Sequence, residues 1–395
     1  MFVPLPLQRI RILDLSRGIT GGFCSQQLAD FGAEVIKVEN PAGGDILRYQ
    51  PPLLEGAGTQ FYMVNRNKKS ITLNLRPQEG KDIFMKLVKV SDVVIDQFRP
   101  GVMERLGLGY EVLKKINPGI IYCSLSAYGM TGTMRDLSGH DLNFRSMSGM
   151  LSLMRDKDNM PQHSPISVAA LAGGGLYAAL GIMLALYQRE KTGQGQLCEI
   201  AMVDGALTFM VEVLAQWAGT GELAQRGDKV MPGNNAYYNI YRTKDDKYLS
   251  LGAIETKSWE EFCNMMSKSE YVSLQGDMER QEEIYQGIQE VFLTRTRDEW
   301  VEFFAGHNVQ LTPVLEVDEV VNHPQMQERK MVHWVKDFKG SGKDFPLIGV
   351  PIKLSHGPED IHTSFPKLGE NNDEILSLLG YSSEDIISLK NGGII

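Results

Sequence analysis

The N-terminal third of the chain alternates short, largely apolar runs with amphipathic ones, and this alternation restricts the fold more than any other feature. Residues 9–15 (RIRILDL), 33–38 (AEVIKV), 70–75 (SITLNL), 92–96 (DVVID) and 120–124 (IIYCS) read as strands. Nearly continuous apolar strands of this kind suit a parallel sheet. Between them, residues 16–22 read as a loop, 23–31 as a helix ended by Gly32, 80–90 as a helix, and 111–116 as a helix stopped by Asn117-Pro118-Gly119. Strands alternating with helices predict an α/β fold with right-handed crossovers.

Residues 167–188 carry no charge and are long enough to invite a membrane span. The Gly173-Gly174-Gly175 run, the many alanines and the lack of a second span predict instead a buried helix, near 171–187, packed tightly on a neighbour. A strand at 197–201 and an apolar helix at 203–218 follow. Residues 219–233 are polar and Gly-rich, the texture of a linker. Beyond them, 238–242 and 247–253 flank Thr243-Lys244-Asp245-Asp246 as a hairpin, and helical patterns lie at 259–266 and 282–293. After 309–315 and a helix at 317–321, the tail is too small to fold alone. The expected organisation is a large domain at 1–218, a smaller α+β domain at 219–320, and a segment at 321–395 returning to the first.

A content of 43% hydrophobic and 23% charged residues is that of a soluble globular protein. The net charge of −9 leaves no footprint for nucleic acid, so any anionic ligand needs a local basic pocket. The scattered Cys24, Cys123, Cys198 and Cys263 read as reduced core thiols, and MFVPLPLQRIRIL lacks the features of a secretory signal; both point to the cytoplasm. The loop Gly18-Ile19-Thr20-Gly21-Gly22, with Glu39 where a dinucleotide fold places its ribose-binding acid, is not GxGxxG; its glycines read as close packing of strand and helix. Asn65-Arg66-Asn67-Lys68-Lys69 is a candidate basic pocket, together with Arg76, Arg99 and Arg105. In Gly139-His140-Asp141, the histidine is a candidate general base and the aspartate either its partner or a helix cap. Glu255 opens a helix just after a strand. No metal-ligand cluster, GxSxG elbow or Walker A loop occurs, so no metal or permanently bound cofactor is expected.

Several stretches together resemble the class III CoA-transferase superfamily, which includes formyl-CoA and carnitine CoA-transferases and α-methylacyl-CoA racemases. They include LDLSRGITGGFCSQQLADFGAEVIKVENPAGGD, NRNKKSITLNLRPQEGK, VVIDQFRPGVMERLGLGYEVLKKINPGIIYCSLSAYG, GHDLNF, REKTGQGQ, YRTKDDKYLSLGAIE and LGENNDEILSLLGYSSEDI, in family order. The resemblance implies a Rossmann-like large domain, a smaller second domain and two chains interlocked like links. It implies coenzyme A or acyl-CoA as substrate, with contacts near Ile19, Thr20, Asn40, Leu73, Arg76, Gln97, Phe98, Arg105, Leu106 and Gly139. Asn40 and Gly139 depart from formyl-CoA transferases, which carry an arginine and a lysine there. His140 and Glu255 match the racemase base and its supporting acid.

The larger departure is the nucleophile. Transferases of this class attack the thioester with an Asp just ahead of the triple glycine, because a carboxylate serves as both nucleophile and leaving group. Here that position falls on Ala170 or Leu171, and no Asp or Glu occurs between Asp158 and Glu190. The expectation is a non-nucleophilic subunit of a heteromeric CoA-transferase, of the succinyl-CoA:benzylsuccinate kind, supporting a homologous subunit that retains the Asp. A racemase or epimerase using His140 and a non-catalytic acyl-CoA-binding protein are the alternatives; a homodimer is the alternative assembly. His163, Ser164 and Ser167 are polar groups near the vacant position, in what reads as a hydrogen-bonded loop.

Overall fold

The computed structural model describes residues 4–156, 158, 160–223, 235–358, 361 and 364–395. Six strands form one sheet: β1 (Arg11–Asp14), β2 (Glu34–Glu39), β3 (Lys68–Thr72), β4 (Val93–Asp96), β5 (Ile121–Ser126) and β6 (Leu197–Ala201). All neighbours pair in parallel, in the order β3-β2-β1-β4-β5-β6. Side chains alternate faces along each strand. Ile12, Val35, Val93 and Ile95 enter one core with α1 (Ile19–Asp30). Leu13, Ile36, Ile71 and Val94 enter another with Ile83, Phe84 and Leu87 of Gln78–Lys89. The chain reverses direction across the sheet between β1 and β4, and the carboxyl ends of those strands are where open α/β sheets bind ligands.

Helix α1 begins at Ile19, so the expected loop at 16–22 ends early. Gly21 and Gly22 lie inside the helix. A Cβ on Gly21 would sit 2.2 Å from Ser16 Cβ, and one on Gly22 3.0 Å from Val64 Cγ2, so these glycines bring α1 against its surroundings rather than turn the chain. Next come α2 (Asp141–Met147), α3 (Tyr177–Thr192) and α4 (Met202–Thr208). Residues Ala169–Leu176 wind as a π-helix that runs into α3, a form that recurs at functional sites. Its triple glycine is wedged between backbones: a Cβ on Gly173 would lie 2.8 Å from Ala206 N, one on Gly175 2.9 Å from Thr20 O, and one on Gly205 1.9 Å from Gly173 O. The stretch Ala169–Thr192 is apolar enough to cross a membrane, yet 56% of its most apolar window is buried. The expected helix at 203–218 is two helices, α4 and Val211–Thr220.

The chain clusters into two compact units. The first joins residues 1–152, 162–211 and 324–395; the second joins 153–161 and 212–323. In the first, the C-terminal segment covers the edge of β3: Ser70 N donates to Asn371 Oδ1 at 3.0 Å and Thr72 N to Asn372 Oδ1 at 2.8 Å. That segment also carries the hairpin β10 (Val332–Val335) and β11 (Phe345–Ile348), numbered after the second unit's strands. The second unit has an antiparallel sheet of β7 (Tyr238–Arg242), β8 (Tyr248–Gly252) and β9 (Leu311–Pro313), with β8 central. Trp259, Phe262, Ile288, Phe292 and Trp300 fill its core. Most of the expected linker at 219–233 lies outside the described residues.

Candidate active site

The loop after β1 is fixed from below by buried charges. Asp14, Lys37, Lys68 and Asp45 are all essentially inaccessible. Lys37 Nζ lies 2.8 Å from Asp45 Oδ2 and donates to Ser16 O at 2.9 Å. Lys68 Nζ lies 3.2 Å from Asp14 Oδ2 and donates to Asn65 Oδ1 at 2.7 Å. Gly18 N donates to Asp45 Oδ1 at 3.0 Å. Burial alone would raise the Asp14 carboxyl, but the two ammonium groups and the Ser16 and Ser25 hydroxyls outweigh it and hold it at about 2. Burial, reinforced by Lys37, pulls Lys68 down to about 8 against the pull of Asp14. Lys37, facing Asp14, Asp45 and Glu39, is lifted above its ordinary value in spite of burial. The four charges pin Ser16, Arg17 and Gly18 at the head of α1.

Two cavities open in the first unit at the carboxyl ends of the strands. The larger, about 720 Å³, is lined by Ile19, Thr20, Gln97, Phe98, Gly139, His140, Ala170 and Leu171 among others. The smaller, about 410 Å³, is lined by Asn40, Leu73, Arg76, Phe98, Arg105 and Leu106 among others. Every candidate CoA contact thus lines one cavity or the other, with Phe98 and Arg17 on the walls of both. Arg17 and Arg135 also line the larger cavity and escaped the sequence reading. The position of Arg17, directly after β1 at the reversal of strand order, is the signal that identifies it.

At the vacant position the larger cavity meets hydrocarbon. Ala170 is 6% exposed and Leu171 half-buried, and both line it. Among the described residues, Asp141 is the one carboxylate on this lining. Its two oxygens are committed. Oδ1 accepts from Ala170 N at 2.9 Å, and Oδ2 lies 3.4 Å from Nη1 of the fully buried Arg145. Arg145 Nη1 also donates to Ser164 O at 3.0 Å. Asp141 therefore caps the glycine helix rather than its own, whose N-cap is His140. His140 is exposed at the start of α2, where its N–H donates to Asn143 Oδ1 at 3.0 Å. Ser167 lines the cavity, and its carbonyl accepts from Leu171 N at 2.9 Å.

Other candidates have structural duties. Arg66 Nη2 pairs with Asp30 Oδ2 at 2.7 Å, Lys68 belongs to the buried tetrad, and Lys69 pairs with Glu34 and Glu374. The Asn65–Lys69 basic stretch is therefore an internal brace rather than a ligand pocket, whereas Arg76, Arg99 and Arg105 do reach the cavities. Glu39 is held by both Arg48 Nε at 2.8 Å and Arg48 Nη2 at 2.7 Å, which removes it as a ribose ligand. Glu255 belongs to the second unit, at the N-cap of Thr256–Met265, and lines neither cavity.

Known proteins share this architecture along nearly its whole length. A CAIB/BAIF family protein from Brucella suis has a solved structure that superposes with a TM-score of 0.83 at 28% identity, covering 95% of this chain and 100% of that one. The α-methylacyl-CoA racemase of Homo sapiens is 34% identical over 99% of this chain and 98% of its own. The succinyl-CoA–L-malate CoA-transferase beta subunit of Chloroflexus aurantiacus is 30% identical over 99% of this chain and 98% of its own. Residues 7–372 match the family described as CoA-transferase family III. With its parallel sheet, its paired cavities and this match, the chain belongs to CoA-transferase family III.

Proposed function

We propose that this chain is the non-nucleophilic subunit of a CoA-transferase that moves CoA between carboxylic acids, succinyl-CoA being the kind of donor. It binds CoA in its own two cavities and interlocks with a homologous chain that supplies the attacking carboxylate. The observation that carries this reading is the lining at Ala170 and Leu171, where a methyl and an isobutyl group face the larger cavity and the one nearby carboxylate, Asp141, is tied to Ala170 N and Arg145. A carboxylate so engaged is a poor nucleophile. The likeness to a subunit of the Chloroflexus succinyl-CoA–L-malate enzyme supports a two-subunit assembly. So does an exposed apolar stripe along the glycine helix and α3, formed by Leu176, Leu180, Leu184 and Tyr187 at helical spacing. Four free thiols, three of them buried, support a reducing, cytoplasmic setting.

Co-expression with a homologue that bears the Asp, followed by affinity purification through one chain, tests this. The expected result is a complex that transfers CoA while this chain alone is inert. Ordinary rates of CoA transfer between carboxylates by this chain alone overturn the proposal. A second reading is favoured by His140 on the cavity wall: one-face proton exchange at the α-carbon of an acyl-CoA, as part of a racemase or epimerase. Deuterium uptake from heavy water at that carbon, lost in His140→Ala, is its signature; absence of uptake ends it. Tight CoA binding with neither activity, even beside the partner, leaves the non-catalytic acyl-CoA-binding reading.

A further inference from the structure

We infer that Arg135 is a ligand for the diphosphate of bound CoA, forming with Arg99 and Arg105 a cradle over Gly101 that supplies charge the chain lacks at Asn40 and Gly139. This rests on the reading that the chain binds CoA. Gly101 has φ +84, and a Cβ there would lie 3.0 Å from Arg105 Nη1 and 3.6 Å from Arg135 Nη2, so two guanidinium groups come together over the bare backbone where a side chain would stand. Like charges held this way repel, and an anion between them removes the repulsion.

Among the described residues, no acidic side chain neutralises the cluster fully. Arg135 Nε is held by Met130 O at 2.8 Å, and its Nη1 pairs with Asp136 Oδ1 at 3.0 Å, but the Asp136 side chain is 78% exposed, where such a pair contributes little. Glu104 turns toward Gly109. Arg99 and Arg105 are exposed and have no ion-pair partner among the described residues. Arg99 and Arg135 line the larger cavity and Arg105 the smaller, so the cluster stands where the two meet. A ligand with its nucleotide in the smaller cavity and its thioester at Ala170 must pass its diphosphate there. Two phosphates accept the paired N–H bonds that guanidinium groups donate.

Titration calorimetry of the full chain with CoA, 3′-dephospho-CoA and pantetheine tests the assignment, for wild type, Arg135→Gln and Arg135→Lys. Arg135→Gln should weaken CoA and dephospho-CoA equally, about ten- to a hundredfold, and leave pantetheine unchanged. Arg135→Lys should recover part of the loss. Equal weakening of pantetheine, a loss confined to CoA over dephospho-CoA, or CoA affinity unaltered in Arg135→Gln overturns the assignment. A loss seen with succinyl-CoA but not with CoA reassigns Arg135 to the acyl carboxylate and overturns it too. Failure of the wild type to bind CoA at all defeats the broader reading, and this inference with it.

Discussion

Replacing Asp141 by alanine distinguishes a structural carboxylate from a reactive one. The change removes the acceptor for Ala170 N, a capping bond whose loss costs about 0.5–2 kcal/mol. It also strips a carboxylate from Arg145, which is 0% exposed. Breaking a fully buried pair costs about 3–5 kcal/mol. Here the low end applies, since the Nη1–Oδ2 separation is 3.4 Å and Arg145 keeps the carbonyls of Ser164 and Ile166. The sum is roughly 3.5–5 kcal/mol, a large share of the 5–15 kcal/mol typical of a folded protein. Asp141→Asn keeps the Oδ1 acceptor for Ala170 N but turns Oδ2, which accepts from Arg145 Nη1, into an amide donor, so it should cost less than the alanine change, about 1–3 kcal/mol. Urea unfolding followed by tryptophan fluorescence and circular dichroism reads both. An Asp141→Ala protein within 1 kcal/mol of the wild type refutes the reasoning, because the carboxylate is then uncommitted and open to chemistry.

Three further outcomes are expected. Ala170→Asp places a carboxylate on the larger cavity; incubation with acyl-CoA should then give a hydroxylamine-sensitive acyl adduct, and an unmodified protein shows that this position does not reach the thioester. Gly205→Ala drives a methyl to within 1.9 Å of Gly173 O, which should lower stability by about 1–3 kcal/mol or more in calorimetric melting; an unchanged melt contradicts the close crossing. Lys68 titrates at about 8 in the folded chain against 10.5 ordinarily, so between those values the unfolded state binds the extra proton and stability rises with pH. Wild type should gain on Lys68→Met by up to about 3 kcal/mol from pH 8 to 10.5; parallel pH profiles contradict this.

The sheet was legible because β1 to β6 carry apolar runs bounded by turn residues, and the hairpin of β7 and β8 because a polar turn divides two strand patterns. The start of α1 was misjudged because Gly21 and Gly22 look like turn residues, while their use is close approach to Ser16 and Val64. Lys37 and Lys68 sit in strands and gave no hint of a shared partner, since Asp14 and Asp45 meet them only through folding. Chemical type did mark the ligand side: each candidate CoA contact lies in a segment that follows a strand of the parallel sheet and lines a cavity. Arg135 was hidden because a cation on a loop has no periodicity to single it out. The double duty of Asp141 was hidden because its bond to Ala170 spans 29 positions.

Intact-mass spectrometry of the wild-type chain, incubated with succinyl-CoA and quenched with and without hydroxylamine, bears most directly on the vacant nucleophile. The predicted spectrum shows this chain unmodified, and an acylated or hydroxamate-bearing residue on the homologous chain when both are present. A hydroxylamine-sensitive adduct on any Asp or Glu of this chain contradicts the account.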